Sequence, residues 1–95
     1  MPGKRAFKRQ GRFFVYIVKC ANNTLYTGYT NNLTQRLALH NSGKGAIYTR
    51  NCRPVRLVWR KRYRSFLLAV REERRIKQLT RPKKLKLIAR GRKRG

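Results

Sequence analysis

Aspartate is absent from this 95-residue chain, and glutamate occurs only at Glu72 and Glu73, against 27 Lys and Arg and a formal charge of +25. Self-repulsion on that scale destabilises a compact chain and is relieved by a polyanion, so nucleic acid, with DNA the expected form, is the partner the balance points to. Only Cys20 and Cys52 carry thiols. They fall in no CxxC or Cys/His spacing of zinc ligands, so two reduced thiols are expected. No apolar run approaches the roughly 18 to 20 residues of a spanning helix, which excludes a helical membrane anchor. The basic start MPGKRAFKRQGR leads into an alternating segment rather than a cleavage site, so a secretory signal is not expected and the cytoplasm is the expected compartment. Internal repeats are missing too, and one domain is the expected count.

What is present falls into short, regular pieces. Residues 1–12 have no apolar period and read as a basic arm, 13–90 as the domain, and 91–95 as a basic tail. Phe13 to Cys20 alternates, with Phe14, Tyr16 and Val18 on one face and Phe13, Val15 and Ile17 on the other. Asn22 and Asn23 supply a turn, and Thr24 to Thr30 returns with Tyr26 and Gly28 opposite Leu25, Thr27 and Tyr29. A glycine inside a strand marks a bulge or a close approach by another group.

A helix capped by Asn31 or Asn32 is expected over about Leu33 to Asn41, with Leu33 and Leu37 inward and Arg36 and His40 along the stripe's edge. Gly43 to Pro54 reads as a loop whose Lys44, Arg50 and Arg53 are candidate nucleic-acid contacts. Its GKG segment lacks the length and helix context of a nucleotide-binding loop. Val55 to Lys61 reads as a third strand, with Val55, Leu57 and Trp59 alternating against Arg56, Val58 and Arg60. Ser65 caps a helix from Phe66 to about Leu79, whose inward stripe is Phe66, Ala69, Val70, Glu73 and Ile76. Thr80 and Pro82 open a last helix, in which Leu85, Ile88 and Ala89 form an apolar face. A carboxylate inside an apolar stripe is costly unless it is paired or binds a cation, and this singles out Glu73. Its neighbour Glu72 falls on the solvent side and is expected to pair with an arginine.

In order and spacing these residues resemble the GIY-YIG nuclease superfamily, in particular its small single-domain bacterial members. Phe14-Val15-Tyr16 stands where GIY is expected and Tyr26-Thr27-Gly28 where YIG is expected. The likeness continues through Arg36, His40, the HNSGKGAIYTR segment and Glu73, over about residues 13 to 80. It departs where Phe14 and Val15 replace Gly and Ile. No asparagine follows Asn51, whereas many of these nucleases have one beyond the glutamate helix.

The resemblance implies an α+β fold, a small three-stranded antiparallel sheet flanked by helices, and metal-dependent hydrolysis of phosphodiesters. It implies Tyr26 as general base or its relay, Tyr16 orienting water or phosphate, Arg36 as an electrostatic clamp, His40 assisting proton transfer, and Glu73 as ligand to Mg²⁺ or Mn²⁺. Such chemistry suits the residue types, because charge builds on the phosphoryl oxygens and a fixed guanidinium and a divalent cation stabilise it. Mg²⁺ often takes only one or two carboxylates and keeps several waters. Surrounding cations favour phenolate, which is the basis for expecting a base at Tyr26. The alternatives are a catalytically weak or silent nucleic-acid-binding module of the same fold and a structural ribosome-associated protein.

Overall fold

The chain runs β1 (Gln10–Cys20), β2 (Leu25–Thr30), α1 (Leu33–Ser42), β3 (Val55–Ser65), α2 (Phe66–Lys77) and α3 (Arg81–Arg94), in a computed structural model that describes residues 10–44 and 52–94. The strands form one antiparallel sheet in the order β2-β1-β3, so the expected α+β architecture is the observed one. β1 is central because its two faces both carry large apolar side chains: Val15, Ile17 and Val18 are fully buried.

Several boundaries fall where the local signals put them. Asn23 turns the β1–β2 hairpin with φ 73, and Asn22 Oδ1 accepts from the Thr24 N–H at 3.2 Å, the short-range bond that suits asparagine to turns. Asn32 caps α1 by accepting from the Gln35 N–H, and Gly43 ends it in the left-handed region at φ 86. Ser65 caps α2 by accepting from the Leu68 N–H. Other boundaries move. β3 continues past Lys61 to Ser65, and because Gln10 pairs with Ser65, β1 begins at Gln10, inside the stretch expected as an arm. α3 extends to Arg94, into the stretch expected as a tail.

The sheet separates two clusters. On one face Phe13, Val15 and Ile17 pack with Ala69 and Ile76 of α2 and Ile88 of α3. The other face holds Tyr16, Val18, Cys20, Cys52 and Val55, with Tyr26, Leu33, Leu37 and Leu57 packed beside them. Neither cysteine is in a disulfide, and burial pushes the Cys20 thiol up, with Cys52 adding to the effect. In α3, Leu87 and Ile88 pack inward, whereas Leu85 stays 43 % exposed; the expected face of Leu85, Ile88 and Ala89 is rotated.

β3 departs most from its expected pattern. The register steps from Ile17↔Trp59 to Val18↔Leu57, so β3 has one extra residue, Val58, opposite a single step of β1. This β-bulge changes the phase of the strand. Val55 and Leu57 face the Tyr16 side, while Val58 and Trp59 both pack on the opposite side. The alternation of Val55, Leu57 and Trp59 therefore breaks, and Arg60 pairs with Tyr16.

Candidate functional site

Tyr16 and Gly28 are cross-strand partners, and the pairing explains the glycine. A methyl group at position 28 would fall 2.6 Å from the Tyr16 hydroxyl and 2.8 Å from its Cζ. With no side chain there, the phenol lies across β2 and is only 2 % exposed. Its hydroxyl is 2.9 Å from His40 Nε2 in a buried hydrogen bond.

α1 delivers His40, the one buried residue of that helix, at 1 % exposure. The expectation of a position at the stripe's edge is corrected here, because the imidazole lies inside. Asn41 fixes the helix on the sheet: its Nδ2 donates to the Val55 carbonyl at 3.2 Å, and its Oδ1 accepts from the Val55 N–H at 2.7 Å. That two-way bond ties α1 to the start of β3 and seats the neighbouring His40 over Tyr16. The His40 ring also meets Tyr26 edge to face, with centroids 5.4 Å apart, and Tyr16 in the same way at 5.9 Å.

Burial, with nearby charge second, sets the protonation of this pair. Burial, and then the neighbouring Tyr26, hold the Tyr16 phenol well above its ordinary value, with Glu73 acting the same way and Arg36 against it. Burial, assisted by the Arg36 guanidinium, lowers the His40 imidazole below its ordinary value. Near neutral pH both groups are uncharged and share one proton: Tyr16 donates when Nδ1 carries the ring proton and accepts otherwise. Arg36, half-buried in α1, is thus electrically coupled to both.

Glu73 comes from α2, where it is buried together with Ala69 and Ile76 on the inward side. Its charge reaches Tyr16, and its Oε2 lies 2.9 Å from the Lys77 ammonium one helical turn on. Lys77 sits 6.0 Å from the Tyr26 ring centroid, and its bond to Glu73 raises its own ionisation. Nothing in the apolar pattern marks Lys77, although Glu followed four residues later by Lys is the spacing that pairs on a helix. Glu72, by contrast, bonds to Arg75, with Nε 3.1 Å from Oε1. That bond holds its carboxyl below the usual range.

The structure therefore brings Tyr16, Tyr26, Arg36, His40 and Glu73 into one neighbourhood. Lys44 and Arg53 meet at the C-terminal end of α1: both are exposed, and a methyl group at Gly43 would fall 2.7 Å from Arg53 Nη1. Arg50 and Gly45 lie outside the described residues. Among the described residues there is no group of three metal-ligating side chains. A hard cation that keeps most of its waters still fits the donor set, since Glu73 supplies a carboxylate whose charge reaches Tyr16 and its lysine partner is a side chain 48 % exposed. A cavity of about 300 Å³ lined by Leu57, Val58, Trp59, Arg60 and Gly91 opens elsewhere, where the β3 bulge meets α3. No helix among the described residues is long and apolar enough to cross a membrane.

Comparison with known proteins matches this geometry to a family. The profile described as GIY-YIG catalytic domain matches residues 12–86. A UPF0213 protein of Staphylococcus haemolyticus is 52 % identical over 77 residues, covering 81 % of this chain and 94 % of the relative. A UPF0213 protein of Oceanobacillus iheyensis is 52 % identical over 75 residues, covering 79 % and 87 %. Two solution NMR structures share the fold. A UPF0213 protein from Bacillus halodurans has a TM-score of 0.55 at 42 % identity, covering 83 % of this chain and 84 % of that one. A protein from E. faecalis has a TM-score of 0.58 at 30 % identity, covering 87 % and 88 %. With the profile spanning the sheet, α1, α2 and the tyrosine pair, the chain belongs to the GIY-YIG domain family.

Proposed function

We propose that the protein is a divalent-metal-dependent endonuclease that hydrolyses DNA phosphodiester bonds and works in the cytoplasm beside DNA. The observation that supports this most is the convergence of two phenols, a buried imidazole, a guanidinium and a carboxylate from β1, β2, α1 and α2. Arg36 stabilises the charge that builds on the phosphoryl oxygens. Tyr26, less enclosed than Tyr16, serves as general base or its relay, taking the attacking water's proton as phenolate or passing its own hydroxyl proton on as it accepts it. Tyr16, held by His40, orients that water or the phosphate and stays protonated. Glu73 would hold Mg²⁺ or Mn²⁺. When bound, the ion would supply Lewis-acid stabilisation of the phosphoryl oxygens. Lys77, released from Glu73, keeps its positive charge close to the substrate's phosphates. Lys44, Arg50, Arg53 and the basic segment 1–12 add sequence-independent affinity, because phosphate contacts carry no base information.

Incubation of the protein with single-stranded, duplex and branched DNA, with Mg²⁺ or Mn²⁺ and then with chelator, tests the reading. Cutting that Glu73→Gln and Tyr26→Phe abolish while binding survives is the expected result. Tight binding without cutting under either metal overturns it. One observation favours a second reading, a catalytically weak or silent binding module: the Glu73 carboxylate is already ion-paired to Lys77. If that pair is the obstacle, Lys77→Ala gains metal-dependent cutting; a variant as inactive as the parent supports the silent module.

A further inference from the structure

We propose that Arg60, Arg62 and Arg64 form a phosphate track for one single strand of nucleic acid, running along the sheet's edge away from Tyr16. The proposal takes the class of its ligand from the nucleic-acid reading above. Its location comes from the bulge at Val58. Cross-strand partners share a face of the sheet, and beyond the bulge Arg60 pairs with Tyr16 and Arg62 with Phe14. Tyr63 packs on the opposite side with the Ile17 cluster, so Arg64, the next residue, returns to the Tyr16 side. Without the extra residue all three arginines would point to the other face, because a one-residue slip inverts every side chain of a strand.

The three guanidinium groups are exposed. Among the described ion pairs, both carboxylates of the chain are engaged on α2, with Arg75 and Lys77. The track is therefore a row of positive charge with its natural counterion still to come. Residues two apart on a strand stand about 6.6 Å from one another, a step that an extended polynucleotide follows from one phosphate to the next. Arginine's planar fork grips phosphate oxygens in pairs. α1 closes the Tyr26 end of this face through Leu33 and Leu37, so a strand leaving Tyr16 is directed along the arginines. Phe14 lies half-buried between Thr30 and Arg62 in the next row. Its ring offers a platform for an unstacked base, a contact that a duplex cannot make.

Binding is measured by anisotropy of a fluorescein-labelled oligothymidylate and of a mixed-sequence duplex, in EDTA, across a range of salt. The combined variant Arg60→Gln/Arg62→Gln/Arg64→Gln is expected to bind the single strand at least tenfold more weakly. The log–log salt slope is expected to fall by about 2, at about 0.7 for each phosphate contact removed. The control Arg56→Gln/Arg71→Gln/Arg90→Gln removes equal charge from exposed positions off this face and is expected to keep affinity within threefold. Arg-to-Lys changes at 60, 62 and 64 are expected to restore most of the slope, and thermal melts establish that each variant is folded. Equal losses in the two combined variants overturn the track in favour of bulk charge. A loss confined to the duplex, or a polyglutamate that competes as well as DNA, overturns the assigned ligand. Chelation keeps the outcomes separate: a wild-type protein that never cuts leaves the track standing, and a track without effect leaves the Tyr16 chemistry standing.

Discussion

The two faces of the sheet are closed by different means. Beneath α2 and α3 the contacts are aliphatic and aromatic, and Val15, Ile17, Ala69 and Ile76 have no exposed surface. Beneath α1 the equally enclosed Tyr16 and His40 carry polar atoms that satisfy each other. The first arrangement is weakened chiefly by loss of volume. The second fails with the loss of one atom, because a buried donor or acceptor stranded without its partner costs about 1–3 kcal/mol. A domain this small thus keeps its aliphatic packing on one side of three strands and the buried Tyr16–His40 pair on the other, with Glu73 coming from the helix that covers the aliphatic side.

Ile17→Ala attacks the aliphatic face and is expected to cost about 2–5 kcal/mol, read as a fall in Tm of about 4–8 °C per kcal/mol. The cutting rate per folded molecule, measured well below that Tm, is expected to stay unchanged. Arg36→Gln does the reverse: a melting curve close to the parent's, and a rate lower by about 10²–10³-fold, as for removal of one electrostatic stabiliser. Gly28→Ala should blur the division, since the methyl group meets the Tyr16 ring. It is expected to cost about 1–3 kcal/mol and to lower the rate in the same variant.

A smaller effect comes from pH. His40 is the chain's one histidine, and its folded imidazole lies below the ordinary 6.5. Its neutral form therefore contributes stability above 6.5, which is lost as pH falls through the folded value and the unfolded chain takes up the proton first. Melting between about pH 7.5 and 5.5 is expected to show that slope in the parent and lose it in His40→Asn. The smallest change is Glu72→Gln, which breaks only a partly exposed pair. It is expected to cost less than about 1 kcal/mol and to leave cutting intact, in contrast to Glu73→Gln one residue away.

Much of this was legible in the residues, and the remainder was hidden for identifiable reasons. Phe13 to Cys20 alternates without interruption, so the faces of β1 followed directly, and Gly28 announced a bulge or a close approach, of which the structure shows the approach of Tyr16. Ser65, and Asn31 or Asn32, marked two helix starts because such side chains cap, and Asn32 is the one that does. The phase change in β3 was invisible, since Val58 is as good a strand residue as its neighbours and only pairing with β1 reveals that it is supernumerary. His40 looked like a borderline residue because helical periodicity carries angle but not depth. The hydrogen bond that lets an imidazole go inside comes from a tyrosine 24 residues earlier.

The outermost position of β3 in the sheet has a consequence for the molecule's behaviour in company. Eleven residues of strand that pair on one side only among the described residues form a template on which a second copy could extend the sheet. Here that edge is lined by like charges, so two molecules approaching side by side repel before their backbones can join. The cationic row proposed to take a polyanion is thus also the kind of edge charge that opposes strand-to-strand pairing between copies.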